Sequence, residues 1–283
     1  MTPTLRTFDL GERTIAALQW GSSSKPSLLA VHGWLDNAES FYKLDPLLSE
    51  YCIIAIDLAG HGQSDWRSAD AGYPIWSYVE DLRKIHLQLG PEPIYLLGHS
   101  LGAGIASLYA GTWPEAVIKL GLIENLGPVV DAPEELTARL RGSFDTLVMP
   151  AKTVQPRPAE LLFRSRAAGR FPVPMDAAKR LVMRACEEQE ELADQLTLRI
   201  DPRLKYPTAI RLTEQQVEAA LREIIAPALL IVGEQGLDVD RAKARMPYVK
   251  NIELVVLPGG HHLHLEDAVV SELAQRFNSF YAQ

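Results

Sequence analysis

Gly98-His99-Ser100-Leu101-Gly102 is the stretch that most narrows what this chain can fold into. It follows the apolar run Ile94 to Leu97 and precedes Leu101 to Tyr109, whose small and apolar residues read as a helix. A strand that becomes a helix across one residue holds that residue in a strained conformation. Glycines two before and two after let the flanking backbones close up. The pattern predicts a sharp turn that presents the Ser100 hydroxyl at the end of a strand, beside a helix N-terminus.

Neighbouring runs extend that unit into a sheet. Leu5 to Leu10 and Thr14 to Trp20 are β-like, and Ser27 to Val31, Cys52 to Asp57, Val117 to Glu124, Ala228 to Val232 and Ile252 to Leu257 are short apolar runs. Helical patterns such as Ile75 to Leu89 separate most of them, so the expectation is α/β, a mostly parallel sheet with helices on both faces. From Gly127 to about Leu212 no strand is evident. Helical stretches at Pro133 to Leu147, near Leu161 and at Met175 to Leu196 suggest a cap, 128–212, inserted in a core of 1–127 and 213–283. Thr213-Glu214-Gln215-Gln216 reads as the helix start that returns the chain to the core.

Composition excludes more than it selects. With 283 residues, 47% hydrophobic and 23% charged, the chain can bury a sizeable core. A net charge of -8 argues against nucleic acid or an anionic membrane surface as the main partner. Two cysteines, Cys52 and Cys186, make no CxxC pair, so neither a disulfide framework nor a cysteine metal site is expected. The N-terminus has no apolar signal-like run and no stretch reaches membrane-spanning length, so a cytoplasmic setting is expected.

A serine at such a turn suits nucleophilic attack, which needs a base, an acid and donors for a developing oxyanion. The donors expected are the backbone N–H groups of Leu101 and of Trp34, in the loop His32-Gly33-Trp34 after a strand. The Trp34 side chain and His99 are substrate-pocket candidates. Three histidines, His261, His262 and His264, compete as base. His261 directly follows Gly259-Gly260 on the loop leaving the last strand and is preferred, with the others packing around it. The acid stays open between Glu124, ending one strand, and Asp238 or Asp240, in the loop after another.

His32-Gly33-Trp34-Leu35-Asp36-Asn37, Asp57-Leu58-Ala59-Gly60-His61-Gly62-Gln63-Ser64, Gly98 to Gly102, Asp201-Pro202-Arg203-Leu204, Arg211-Leu212-Thr213-Glu214 and Gly260 to Glu266 together resemble the α/β-hydrolase superfamily, within it the serine hydrolase-like family. The resemblance implies the α/β-hydrolase fold and places the base at His261, five before Glu266. It departs at one point: the superfamily commonly has G-x-x-D after the penultimate strand, and here Gly236 stands at the Asp position. Some relatives place the acid where Glu124 lies, which favours Glu124 over Asp238 and Asp240. The implied activity is hydrolysis of carboxylic esters of small-to-medium acyl groups, without metal or other cofactor, with a small acyl substrate and water as partners. Thioester, lactone or C–C bond hydrolysis and acyl transfer are alternatives on the same residues, and a non-catalytic binding protein is a third.

Overall fold

The computed structural model describes residues 2–148, 154–187, 194–237 and 239–282. Its strands are β1 Thr4–Asp9, β2 Thr14–Trp20, β3 Ser27–Val31, β4 Cys52–Ile56, β5 Ile94–His99, β6 Val117–Ile123, β7 Arg157–Pro158, β8 Cys186–Glu187, β9 Gln195–Leu198, β10 Ala228–Gln235 and β11 Ile252–Gly260. Its α-helices are α1 Ile75–Leu89, α2 Leu101–Thr112, α3 Leu136–Leu147, α4 Ala159–Ala167, α5 Met175–Arg184, α6 Glu214–Arg222, α7 Val239–Arg245 and α8 Val270–Ala282.

One sheet runs in the order β1-β2-β4-β3-β5-β6-β10-β11. The first two strands pair antiparallel and β2 pairs antiparallel with β4, whereas every pairing from β4 to β11 is parallel. Alternate residues serve opposite faces: Leu29, Val31, Leu96 and Leu230 pack with residues of α1, α2 and α6, while Leu28, Ala30, Leu97 and Ile231 pack with Leu273 and Phe277 of α8. Both faces are therefore covered, which is why the strands read as unbroken apolar runs. Parallel pairing also brings the C-terminal ends of β3, β4, β5, β6, β10 and β11 to one edge, where ligands of open α/β sheets bind.

The segment between Gly127 and Leu212 differs from expectation. It contains strands: β7, β9 and β8 form a small sheet with antiparallel pairings. The helix expected over Met175 to Leu196 ends at Arg184, once its buried face of Ala177, Ala178, Leu181 and Val182 is spent, and Cys186–Glu187 turns back to pair with β9. Residues 188–193 of that expected helix lie outside the described residues.

Both ends of this segment are tied to the core by Arg245, 1% exposed. Its Nη1 donates to Leu126 O and Pro128 O, both at 2.8 Å, and its Nε and Nη2 reach the Glu214 carboxylate at 2.8 and 2.7 Å. Helix α6 starts as read from sequence, with Thr213 and Gln216 in a capping box. Asp201-Pro202-Arg203 is a docking point: Asp201 N donates to Gly60 O at 3.0 Å and its carboxylate accepts from Tyr73 and Arg203. Among the described residues no helix is long and apolar enough to cross a membrane.

Candidate active site

Ser100 takes φ 52° and ψ -110°, a conformation costly for a residue with a side chain, on the order of 1–3 kcal/mol. The surroundings enforce it. A Cβ on Gly98 would stand 2.5 Å from Gly102 O, and one on Gly102 would collide with Val31 O. Ser100 N donates to Ile123 O at 2.9 Å, and its carbonyl accepts from Gly104 N and from Asn125 Nδ2, each at 3.1 Å. The hydroxyl is thus carried at the C-terminal edge of the sheet by a turn locked on both sides.

Glu124 and His261 are brought together from the ends of β6 and β11. His261 Nδ1 lies 2.9 Å from Glu124 Oε2, with the side chains 5% and 0% exposed. The same carboxylate accepts from Gly233 N at 2.6 Å and Leu237 N at 2.7 Å. Three donors compensate a buried charge that would otherwise be expensive. Gly236 explains the location of this acid: a Cβ there would overlap both Glu124 carboxylate oxygens. The missing side chain makes the room that the longer acid occupies from the next strand. Asp240, by contrast, is exposed on α7, away from this contact, and Asp238 lies outside the described residues.

The loop after β3 lies close over Ser100. A Cβ on Gly33 would be 3.3 Å from Ser100 Cβ and 2.9 Å from His99 Nδ1, so the Gly33-Trp34 backbone passes against the turn. Leu101 is the first residue of α2, where an N–H has no intrahelical acceptor. The Trp34 side chain is 53% exposed, and its indole donates to Leu204 O at 3.1 Å. His99 departs from its expected place as a pocket wall. It is 0% exposed and donates from Nε2 to His261 O at 2.9 Å, so it ties the serine turn to the histidine loop from behind.

A family model described as alpha/beta hydrolase fold matches residues 26–268. A serine hydrolase-like protein of Dictyostelium discoideum is 31% identical over 89% of this chain and 75% of its own length. The chain belongs to the α/β-hydrolases, in the serine hydrolase-like family. A serine hydrolase-like protein of Mus musculus is 28% identical, over 89% of this chain and 87% of its own length. Among solved structures, a hypothetical protein of Pseudomonas aeruginosa is 34% identical with a TM-score of 0.90, covering 99% of each chain. A thioesterase domain from the curacin biosynthetic pathway, 22% identical over 97% of this chain and 100% of its own with a TM-score of 0.84, shares the fold.

Behind His261 this α/β-hydrolase buries a polar cluster that its sequence motifs touch but do not explain. Asp36, 2% exposed, accepts from Arg166 Nη2 at 2.6 Å on one oxygen and lies 3.1 Å from His262 Nε2 on the other. His264 bonds Ser40 Oγ through Nε2 at 2.9 Å, and His32 Nε2 accepts from Leu58 N at 2.9 Å. Asp36, His99 and His262 bring one ligand atom each within 4.8 Å of one another, a spacing suited to a cation. The cation seated against that set is the Arg166 guanidinium, which a metal ion would have to displace. Arg166 and Phe171, whose ring centroid lies 4.3 Å from that of His261, carry no sequence signal, because the helices around them have no motif. Asp36 lies in the stretch His32 to Asn37, and Asn125 directly follows Glu124.

Burial holds these imidazoles neutral. It pushes His32 down to about 4 and His61 to about 3, puts His99 and His264 well below the ordinary 6.5, and lowers His262. Unfolding returns them to ordinary values, so below about 6.5 the unfolded chain binds more protons and stability falls as pH drops toward 4. Asp36, held well below 3.8 by His262 and Arg166 against the cost of its burial, adds a loss of the same sign at lower pH. The melting temperature is expected to fall steadily from about pH 7 to about pH 4.5. A flat profile over that range would contradict the neutral cluster.

Proposed function

We propose that this chain is a serine hydrolase that cleaves carboxylic esters of small-to-medium acyl groups through Ser100, His261 and Glu124. The observation that carries the reading is the 2.9 Å approach of His261 Nδ1 to a carboxylate that is already fixed by two backbone donors. A carboxylate only accepts, so the imidazole proton sits on Nδ1 and the Nε2 lone pair is left to take the Ser100 proton. Ser100 attacks the ester carbonyl, the N–H groups of Trp34 and Leu101 hold the oxyanion, and the imidazolium is stabilised by Glu124. His261 then protonates the leaving alcohol, and water repeats the sequence on the acyl-enzyme. No step calls for a cofactor. The setting we assign is cytoplasmic, in keeping with two free, buried cysteines.

Residues 128–212 act in this reading as a lid. Three contacts support this reading: Phe171 against His261, the Trp34 indole on Leu204 O, and Asn37 Nδ2 on Leu181 O at 2.7 Å. The test is a panel of p-nitrophenyl esters of graded chain length, run beside thioesters and lactones. Esters should turn over fastest, with an optimum at short to medium chains that shifts when Phe171 is replaced by Ala. Thioester turnover with inert esters would overturn the substrate class, and an unchanged chain-length profile would overturn the lid.

A further inference from the structure

The geometry points to Arg166 as a positioning residue for His261: it clamps the turn that carries Phe171 onto Asp36 and so keeps Phe171 against the imidazole face. The inference rests on the proposed serine hydrolase reading and deepens it.

His261 is bonded through Nδ1 to Glu124, and the rings of His99 and His262 flank it at 4.9 and 5.1 Å. The hydrogen bond fixes one nitrogen, and a tilt about that bond would swing Nε2 away from Ser100. A contact with the ring from the cap segment adds a further restraint on that tilt. Phe171 supplies it, with centroids 4.3 Å apart and planes at 39°, a tilted contact slightly closer than the usual separation of aromatic pairs.

Phe171 itself sits in the turn after α4, and three contacts hold that turn. Arg166 Nη1 donates to Phe171 O at 3.3 Å, Arg166 Nη2 donates to Asp36 Oδ1 at 2.6 Å, and Val173 N donates to Ala167 O at 3.2 Å. Val173 is buried in an apolar cluster with Leu265, which belongs to the histidine loop. Asp36 is the fixed end of the clamp. It is buried, its N donates to Gly33 O at 3.2 Å, and it stands on the loop that passes over Ser100. His262 Nε2 donates to its other oxygen, so the 3.1 Å approach of Arg166 Nη2 to that nitrogen is a contact between two donors, not a bond. Arg166 is thus held by the carboxylate and by Phe171 O together. A planar guanidinium with several fixed donors can bridge those two points, and a lysine cannot do so as a point charge.

The test is a cycle of wild type, Arg166→Met, Phe171→Ala and the double variant, each measured for kcat and KM on one p-nitrophenyl ester, with Phe171→Tyr as the conservative control. Each single variant should lose roughly tenfold in kcat with KM moving less than about threefold, and the double should fall no further than the worse single, because both break one linkage. Phe171→Tyr should keep kcat within about twofold. Losses that multiply in the double, or a Phe171→Ala enzyme with unchanged kcat, would overturn the inference. Should Arg166→Met fail to fold, the Ala and Tyr variants at position 171 decide alone: loss in Ala with retention in Tyr supports the clamp, and equal kcat in both sinks it. Imidazole nitrogen NMR of His261 reads the ring without substrate. One Nδ1-protonated tautomer is expected in wild type and Phe171→Tyr, and exchange broadening in Phe171→Ala. Spectra unchanged in Phe171→Ala count against the inference even if no ester is turned over, an outcome that would separately defeat the serine hydrolase reading.

Discussion

Ser100→Ala protein is expected to lose ester turnover by at least about 10⁴-fold while melting close to wild type. The size follows from the role: without the nucleophile no acyl-enzyme forms, and oriented backbone donors alone leave only a small residue of catalysis. The fold should survive because the conformation is imposed by Gly98, Gly102 and the bond from Ser100 N to Ile123 O, none of which involves the hydroxyl. His261→Ala should fall by about 10³-fold or more, since members of such a set act as a unit. The check is kcat on one activated ester together with labelling by a fluorophosphonate probe. Turnover above a trace in clean Ser100→Ala protein, or labelling that persists in it, would show that another residue carries the chemistry.

Glu124→Gln is the second large effect, expected at roughly 10²- to 10⁴-fold in kcat with KM less affected. The amide presents a donor as well as an acceptor to His261 Nδ1 and removes the charge that stabilises the imidazolium. It also has to satisfy Gly233 N and Leu237 N, which now bond two carboxylate oxygens. Asp240→Asn should leave kcat within about twofold, because its side chain is exposed on α7. Gly236→Ala should resemble Glu124→Gln, since the added methyl overlaps the carboxylate. The three variants, compared on one ester, separate the possibilities. A dead Asp240→Asn with an active Glu124→Gln would move the acid role elsewhere.

How much of this could be read beforehand varied with how local its cause is. The strands from Ser27 to Val31 and the helix Ile75–Leu89 are written as uninterrupted apolar runs and a 3.6-residue pattern, and the structure has them at those bounds. The turn at Ser100 is fixed by glycines two residues away on either side, so its geometry is legible in five letters. Glu124 is favoured over Asp238 and Asp240 in the sequence only through the resemblance, because what separates them physically is a contact across two strands: the space above Gly236 exists only once β6 and β10 lie side by side. The strands β7, β8 and β9 leave no run in the sequence because two of them are two residues long and β7 pairs with β9 across a long stretch of chain, Arg157 with Leu196. Arg166 and Phe171 have no local signature either: what gives them meaning is Asp36, 130 residues away from Arg166.

The exclusion between Gly236 and the Glu124 carboxylate also constrains ancestry. In this chain a side chain at 236 would push the Glu124 carboxylate out of the place it now fills, so the two positions compete for one volume. A stepwise mutational route from one arrangement to the other passes through a chain in which the glutamate has turned aside or has not yet arrived, and a loss of the kind expected for Glu124→Gln goes with either step. Glycine at one site and glutamate at the other should be inherited as a pair. In an alignment of descendants, a non-acidic residue at 124 with glycine kept at 236 would mark a lineage that has lost this carboxylate.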